Sequence, residues 1–219
     1  MNTIERDVRG AIAAHESLVA TLEFLTDAEA RSASQLPNWT VGHVLTHIAR
    51  NADGFVLMID AANRGQVGAQ YPGGLEQRNA DIEAGSTRSA AELSADVAEA
   101  CARIEAAWAA TTPQGWEGTG QSPGGPLPIN TLPFRRWRET ITHHADCGFE
   151  HLGVSFSWRD WPTAYVRLEL EQMTMLYASR KPMGLTALPP EALAVDDRHR
   201  LAWLMGRATI DGLAPAGIF

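Results

Sequence analysis

Arg138-Glu139-Thr140-Ile141-Thr142-His143-His144-Ala145-Asp146 places a carboxylate and an imidazole, Glu139 and His143, one helical turn apart. Asp146 and Glu150 continue that face. Trp137, Ile141, His144 and Gly148 form a separate stripe edged by Phe134 and Leu152, so the acidic-histidine face points away from the apolar one. Two readings are open. Glu and His four apart on a polar face are a solvated ion pair, or they bite one divalent metal ion together with a ligand from elsewhere. Two ligands do not specify a metal site, so the rest of the chain must supply a third.

Upstream, Ile4, Val8, Ala11, Ile12, His15, Leu18, Val19, Leu22 and Leu25 recur at the three-and-four spacing of an amphipathic helix. His15 lies inside that stripe and reads as a satisfied core histidine. Thr40, after Pro37, is the expected N-cap of a second helix with the stripe Val41, Val44, Leu45, Ile48, Ala52, Phe55 and Ile59. His43, His47 and Asn51 follow one another at one-turn intervals. His47 and Asn51 flank the stripe, whereas His43 points more nearly opposite it. His47 is therefore better placed to look into a cavity between helices, and His43 to be exposed or beside the ligands.

Residues 62–75 carry Gly65, Gly68, Pro72, Gly73 and Gly74, a loop, with a short polar helix expected over 75–84. Ser89-Ala90-Ala91-Glu92 is a capping box that opens a helix with the stripe Leu93, Val97, Ala100, Cys101, Ile104, Ala107 and Trp108. Cys101 reads there as a small buried hydrophobe. Residues 111–133 are rich in Gly, Pro, Ser and Thr without periodicity, and either shape the mouth of a site or make a disordered excursion. The fourth long helix, expected over 132–153, carries the opening stretch. Histidines on the second helix and a Glu/His pair on the fourth point to a four-helix bundle with an internal metal site.

Beyond that bundle, assigned to 1–153, residues 154–219 read as a small C-terminal subdomain, helical or α/β. Val166 to Glu171 alternates like a strand, but Pro162 near the start and the Leu, Glu, Gln and Met content favour a helix through about Ala178. Leu201, Leu204, Met205 and Ala208 predict a last helix ending near Gly212. Arg207 falls on it and is a surface residue by default.

The formal charge of −8 argues against nucleic acid and anionic membrane as partners, because both need a basic surface. No apolar run reaches the roughly eighteen residues of a membrane span. The N-terminus lacks a basic-then-apolar leader, and Cys101 and Cys147 make no disulfide framework, so a cytoplasmic location is expected.

Trp39-Thr40 followed by His43-Val44-Leu45-Thr46-His47-Ile48-Ala49-Arg50-Asn51-Ala52 resembles the second-helix motif of the mycothiol-dependent maleylpyruvate isomerase family, part of the DinB-like metal-binding superfamily. Arg138-Glu139 with His143 and Asp146 resembles that family's fourth-helix motif. DinB relatives more broadly place His where Glu139 stands, so Glu points to the mycothiol branch. Leu204-Met205-Gly206-Arg207 is similar to a C-terminal motif whose Arg takes part in substrate or thiol binding. The likeness is close around 39–52 and 135–153 and weakens after 155, where this chain is the shorter.

The resemblance implies a mainly α, DinB-like four-helix bundle holding Zn2+ or another divalent metal on His47, Glu139 and His143. It implies mycothiol as thiol cofactor, with Arg207 and Asn51 in contact with it and Arg207 also catalytic. The implied reaction is cis–trans isomerisation of maleylpyruvate or a similar unsaturated oxo-acid, by reversible addition of the thiol to the double bond. A small-molecule thiol and a small-molecule substrate are then the partners, with monomer and homodimer both open. Two rivals share the fold: a thiol S-transferase that releases the adduct, and a non-catalytic ligand-binding protein. Cys147 is an alternative thiol within the chain, though packing is the simpler role for it.

Overall fold

The computed structural model describes residues 2–149, 156–179 and 186–217. The chain divides into two compact units, Met1–Ser155 and Phe156–Phe219.

In the first unit the long helices are α1 (Thr3–Leu22), α3 (Val41–Asn63), α5 (Ala90–Ala109) and α7 (Leu132–Asp146), with α2 (Asp27–Ala30) and α4 (Gly74–Gly85) between them. Local sequence fixes their starts. Asn2, Thr26 and Ser89 each cap a helix while the third helical residue, Glu5, Glu29 or Glu92, reaches back to the cap, a reciprocal arrangement worth about 1 kcal/mol per helix. α1 packs along α7 and α5, and α3 packs along α5 and α7, so α1 and α3 lie on one diagonal of a bundle and α5 and α7 on the other. Leu18, Val44, Leu45, Ile48, Ile59, Leu93 and Ile104 are fully buried between them. Each such side chain contributes roughly 1.5–3 kcal/mol by leaving water.

The segment 111–133 is ordered structure. It forms α6 (Pro113–Trp116), an antiparallel hairpin of β1 (Thr119–Ser122) and β2 (Gly125–Pro128), and one 3-10 turn, Ile129–Thr131. Its small residues serve close packing: a Cβ at Gly120 would run into Met58 of α3. The hairpin also ties down the preceding loop, since Gln121 donates to the Gly68 carbonyl and accepts from the Gln70 amide, both at 2.8 Å.

The fourth bundle helix is shorter than the sequence predicts. It ends at Asp146, and Gly148 follows at φ 70°. The expected continuation through Glu150, Leu152 and Gly153 lies outside the described residues.

The second unit consists, among its described residues, of α8 (Thr163–Ala178), α9 (Pro190–Ala194), α10 (Asp197–Leu204) and a 3-10 turn, Trp158–Asp160. Trp161, Tyr165, Met173, Leu201 and Leu204 form its core. α10 stops earlier than predicted because Gly206 takes φ 73°, a conformation that L side chains resist. The Gly206 amide then bonds the Trp203 carbonyl and the Arg207 amide bonds the Ala202 carbonyl, closing a Schellman motif. Arg207 thus lies just past the helix, not on it. Among the described residues, no helix is long and apolar enough to cross a membrane.

Candidate metal centre

The start of α3 separates its two histidines. His43 is consumed by the cap: its backbone amide donates to the Thr40 hydroxyl, and its Nδ1 accepts from the Thr40 amide at 3.2 Å. Its remaining Nε2 meets Glu83 at 3.2 Å. One turn on, His47 is only 7% exposed and turns its Nε2 toward α7, 3.1 Å from Glu139 Oε2.

On α7, Glu139 and His143 share a face as the spacing predicts, with His143 Nε2 3.6 Å from the same Glu139 oxygen. The His47 and His143 rings meet nearly edge to face, centroids 4.8 Å apart. One ligand atom from each of His47, Glu139 and His143 lies within 4.8 Å of the other two. Asp146 does not join them. It is buried, and its Oδ2 holds His143 Nδ1 at 2.8 Å, which aims Nε2 at the cluster. A carboxylate behind an imidazole is the usual support of a metal-ligating histidine.

The charges are divided among the three. Burial pushes the His47 imidazolium pKa down to about 4, against a smaller opposing effect of Glu139. Burial acts the same way on His143, but hydrogen bonds to Asp146 and Glu139 outweigh it and raise that pKa to about 9. Burial also disfavours a charged Glu139, yet its bonds to His143 and His47 hold the carboxyl well below the ordinary range. Without a metal the cluster is therefore a neutral His47, an anionic Glu139 and a cationic His143. Two imidazole nitrogens and one carboxylate oxygen, supported from behind by Asp146, suit zinc or a similar divalent ion.

Two residues that sequence spacing does not single out, Arg78 and Tyr71, lie near the cluster, and a third, Arg136, is buried behind Asn51. Arg78 of α4 donates from Nη2 to His47 Nδ1 at 2.9 Å, while its guanidinium lies over the Trp39 ring, 5.8 Å from the centroid. Burial keeps the Tyr71 phenol protonated to higher pH than usual, against weaker effects from Arg78. Arg136 of α7 is fully buried. It donates to Asn51 Oδ1 at 3.1 Å, the Ile48 carbonyl at 2.7 Å and His15 Nε2 at 3.0 Å. Asn51 is thus buried one turn beyond His47 and gripped from the bundle interior. No spacing rule finds such residues, because loop, polar-helix and core positions meet here only in the folded chain.

The bundle that carries this cluster is similar to known proteins. The family described as mycothiol maleylpyruvate isomerase N-terminal domain matches residues 11–148. The chain belongs to that family. The match takes in the second half of α1, all of α3, α5 and α7, and the three clustered side chains. A crystal structure of the mycothiol-dependent maleylpyruvate isomerase superposes with a TM-score of 0.80 at 23% identity, covering 94% of this chain and 90% of the other. A histidine-to-alanine mutant of that isomerase gives 0.79 at 22% identity, with the same coverage. At these identities the likeness shows the fold: the chain is a mainly α protein built on the DinB-like bundle. Among curated proteins, none matches the chain.

The other residues singled out in the sequence take varied places in this family member. His15 is a core histidine, its Nδ1 2.6 Å from Glu105. His144 is buried against the Thr21 hydroxyl at 2.9 Å. Cys101 is buried, with Arg136 Nη2 3.6 Å from its sulfur. Burial pushes the Cys147 thiol well above its ordinary pKa, and the Asp146 charge adds to this. Arg207 belongs to the C-terminal unit, where it lines a cavity of about 510 Å3 with Trp158, Arg159, His199, Trp203 and Thr209. Its Nη1 donates to the Met205 carbonyl at 2.6 Å.

Proposed function

We propose that the chain is a metal- and mycothiol-dependent cis–trans isomerase of maleylpyruvate or a similar unsaturated oxo-acid. The observation that carries this reading is the convergence of His47, Glu139 and His143 from α3 and α7, inside the bundle of this isomerase family. These three side chains would hold the divalent ion, and Asp146 fixes the His143 ring so that its Nε2 faces Glu139. A divalent ion held by such ligands lowers the pKa of a thiol and keeps it as thiolate near neutral pH.

The chain's own sulfurs are poor candidates for the nucleophile. Cys101 and Cys147 are buried, and burial raises both thiol pKa values. That favours an external thiol, whose reversible addition converts the cis double bond to a rotatable single bond. Arg207 is assigned to a carboxylate of substrate or thiol, where its planar fork pairs with two oxygens and offsets developing enolate charge. Asn51 is assigned to the thiol cofactor.

Incubating the metal-loaded protein with maleylpyruvate and mycothiol should yield fumarylpyruvate by chromatography, and omitting the thiol or chelating the metal should abolish it. A stable thioether adduct in place of fumarylpyruvate would identify an S-transferase instead. No turnover of either kind, with metal bound and mycothiol present, would sink both catalytic readings.

A further inference from the structure

Arg78 sits against the ligand cluster with chemistry opposed to a metal. A guanidinium carries five N–H groups and no lone pair, so it can only donate. Its contact with His47 Nδ1 at 2.9 Å therefore requires the lone pair of that ring to be on Nδ1. The ring proton is then on Nε2, where it donates to Glu139 at 3.1 Å. Ligation of a cation through Nε2 needs the reverse arrangement, a lone pair on Nε2 and the proton on Nδ1. That proton would face an Arg78 N–H, donor against donor. Ligation through Nδ1 instead would take the lone pair that Arg78 uses. Either way, Arg78 cannot stay where it is.

The element that carries Arg78 offers its side chain few apolar neighbours of its own. α4 buries one side chain, Ile82, and its N-cap, Gly73, offers no side-chain cap. The C-terminal end of α4 packs closely on α3 at Ser86, so the displacement asked of Arg78 is one of its own half-buried side chain.

We propose that Arg78 and a divalent cation compete for His47, so that the ion is admitted only when the guanidinium swings off the ring. Docked, Arg78 keeps His47 in the tautomer that donates to Glu139. Displaced, it is a free cation beside the cluster. The proposal rests on the metal reading above, and its test separates the two.

Zinc affinity is measured by competition with a chromophoric chelator, for the wild-type chain and for Arg78→Met, which keeps an apolar stem without the charge. Removing one charge-assisted hydrogen bond to the metal-free state should tighten zinc about ten- to a hundredfold. Equal or weaker binding by a folded Arg78→Met overturns the competition and leaves the metal site standing. Failure of both proteins to bind zinc sinks the metal reading and the competition with it. Nitrogen NMR of His47 in the metal-free wild-type chain is a second readout that needs no variant. The ring proton is expected on Nε2, moving to Nδ1 on zinc addition, and a protonated Nδ1 before any metal is added overturns the proposal.

Discussion

At the scale of single residues, two atoms separate ligand from neighbour. His47 and His43 stand one turn apart on α3, but the nitrogens of His43 are held by Thr40 and Glu83 while Nε2 of His47 faces Glu139. Alanine at His47, Glu139 or His143 should therefore remove most bound metal by elemental analysis, and alanine at His43 should not. His144→Ala should also keep metal, at a cost of about 1–3 kcal/mol in stability, because it removes a buried ring and its hydrogen bond to Thr21, whose hydroxyl keeps its bond to the Ser17 carbonyl. Full metal content in His143→Ala would refute the assignment. Asp146→Asn should weaken metal binding by about tenfold in a chelator competition, since it softens the carboxylate behind His143. Arg207 offers a different contrast. If its fork grips a carboxylate, Arg207→Lys should lower kcat/KM by roughly ten- to a hundredfold with metal content unchanged. A change within about twofold would confine the chemistry to the bundle.

At the scale of elements, the bundle is tied by a charge buried where its helices meet. Arg136 on α7 bonds His15 on α1 and both Asn51 and the Ile48 carbonyl on α3, and reaches the sulfur of Cys101 on α5. Its neutral partner is held so by burial, which pushes the His15 pKa down to about 4, while Glu105 bonds the far nitrogen. Arg136→Met would leave several buried acceptors without their donor. A loss of about 3–5 kcal/mol is expected, read as a lower urea midpoint. Arg136→Lys should recover little, because one ammonium cannot span three helices. A stability loss of less than about 1 kcal/mol in Arg136→Met would show that the bundle does not depend on this knot.

At the scale of the whole molecule, the titrating groups give the metal-free protein a stability maximum. His15 and His47 sit near 4 in the folded chain and near 6.5 when unfolded. Between those values the unfolded state binds more protons, so stability rises with pH. His143 reverses the sign: its folded pKa is about 9 against 6.5, so the stability it adds is complete below 6.5 and drains away toward 9. Buried Cys101 and Cys147 add to the decline only above the ordinary thiol value of 9.0. The melting temperature of the metal-free chain should peak near pH 6.5, and His143→Asn should flatten the limb between 6.5 and 9. Saturating zinc should abolish that limb, because the zinc-bound folded chain and the unfolded chain then both carry a neutral His143 above pH 6.5. A flat wild-type profile over this range would contradict the charge assignment. By itself the sequence determined what depends on near neighbours. Thr40 and Ser89 opened helices, the apolar stripes gave a bundle, and four-residue spacing put Glu139 and His143 on one face. The tertiary structure alone decided what depends on distant chain meeting. It ordered the glycine-rich hairpin against α3, brought Arg78 to His47, and buried Arg136 among three helices. Helical periodicity is a property of a few consecutive residues, whereas a lone arginine on a polar helix acquires its partner only when packing supplies one.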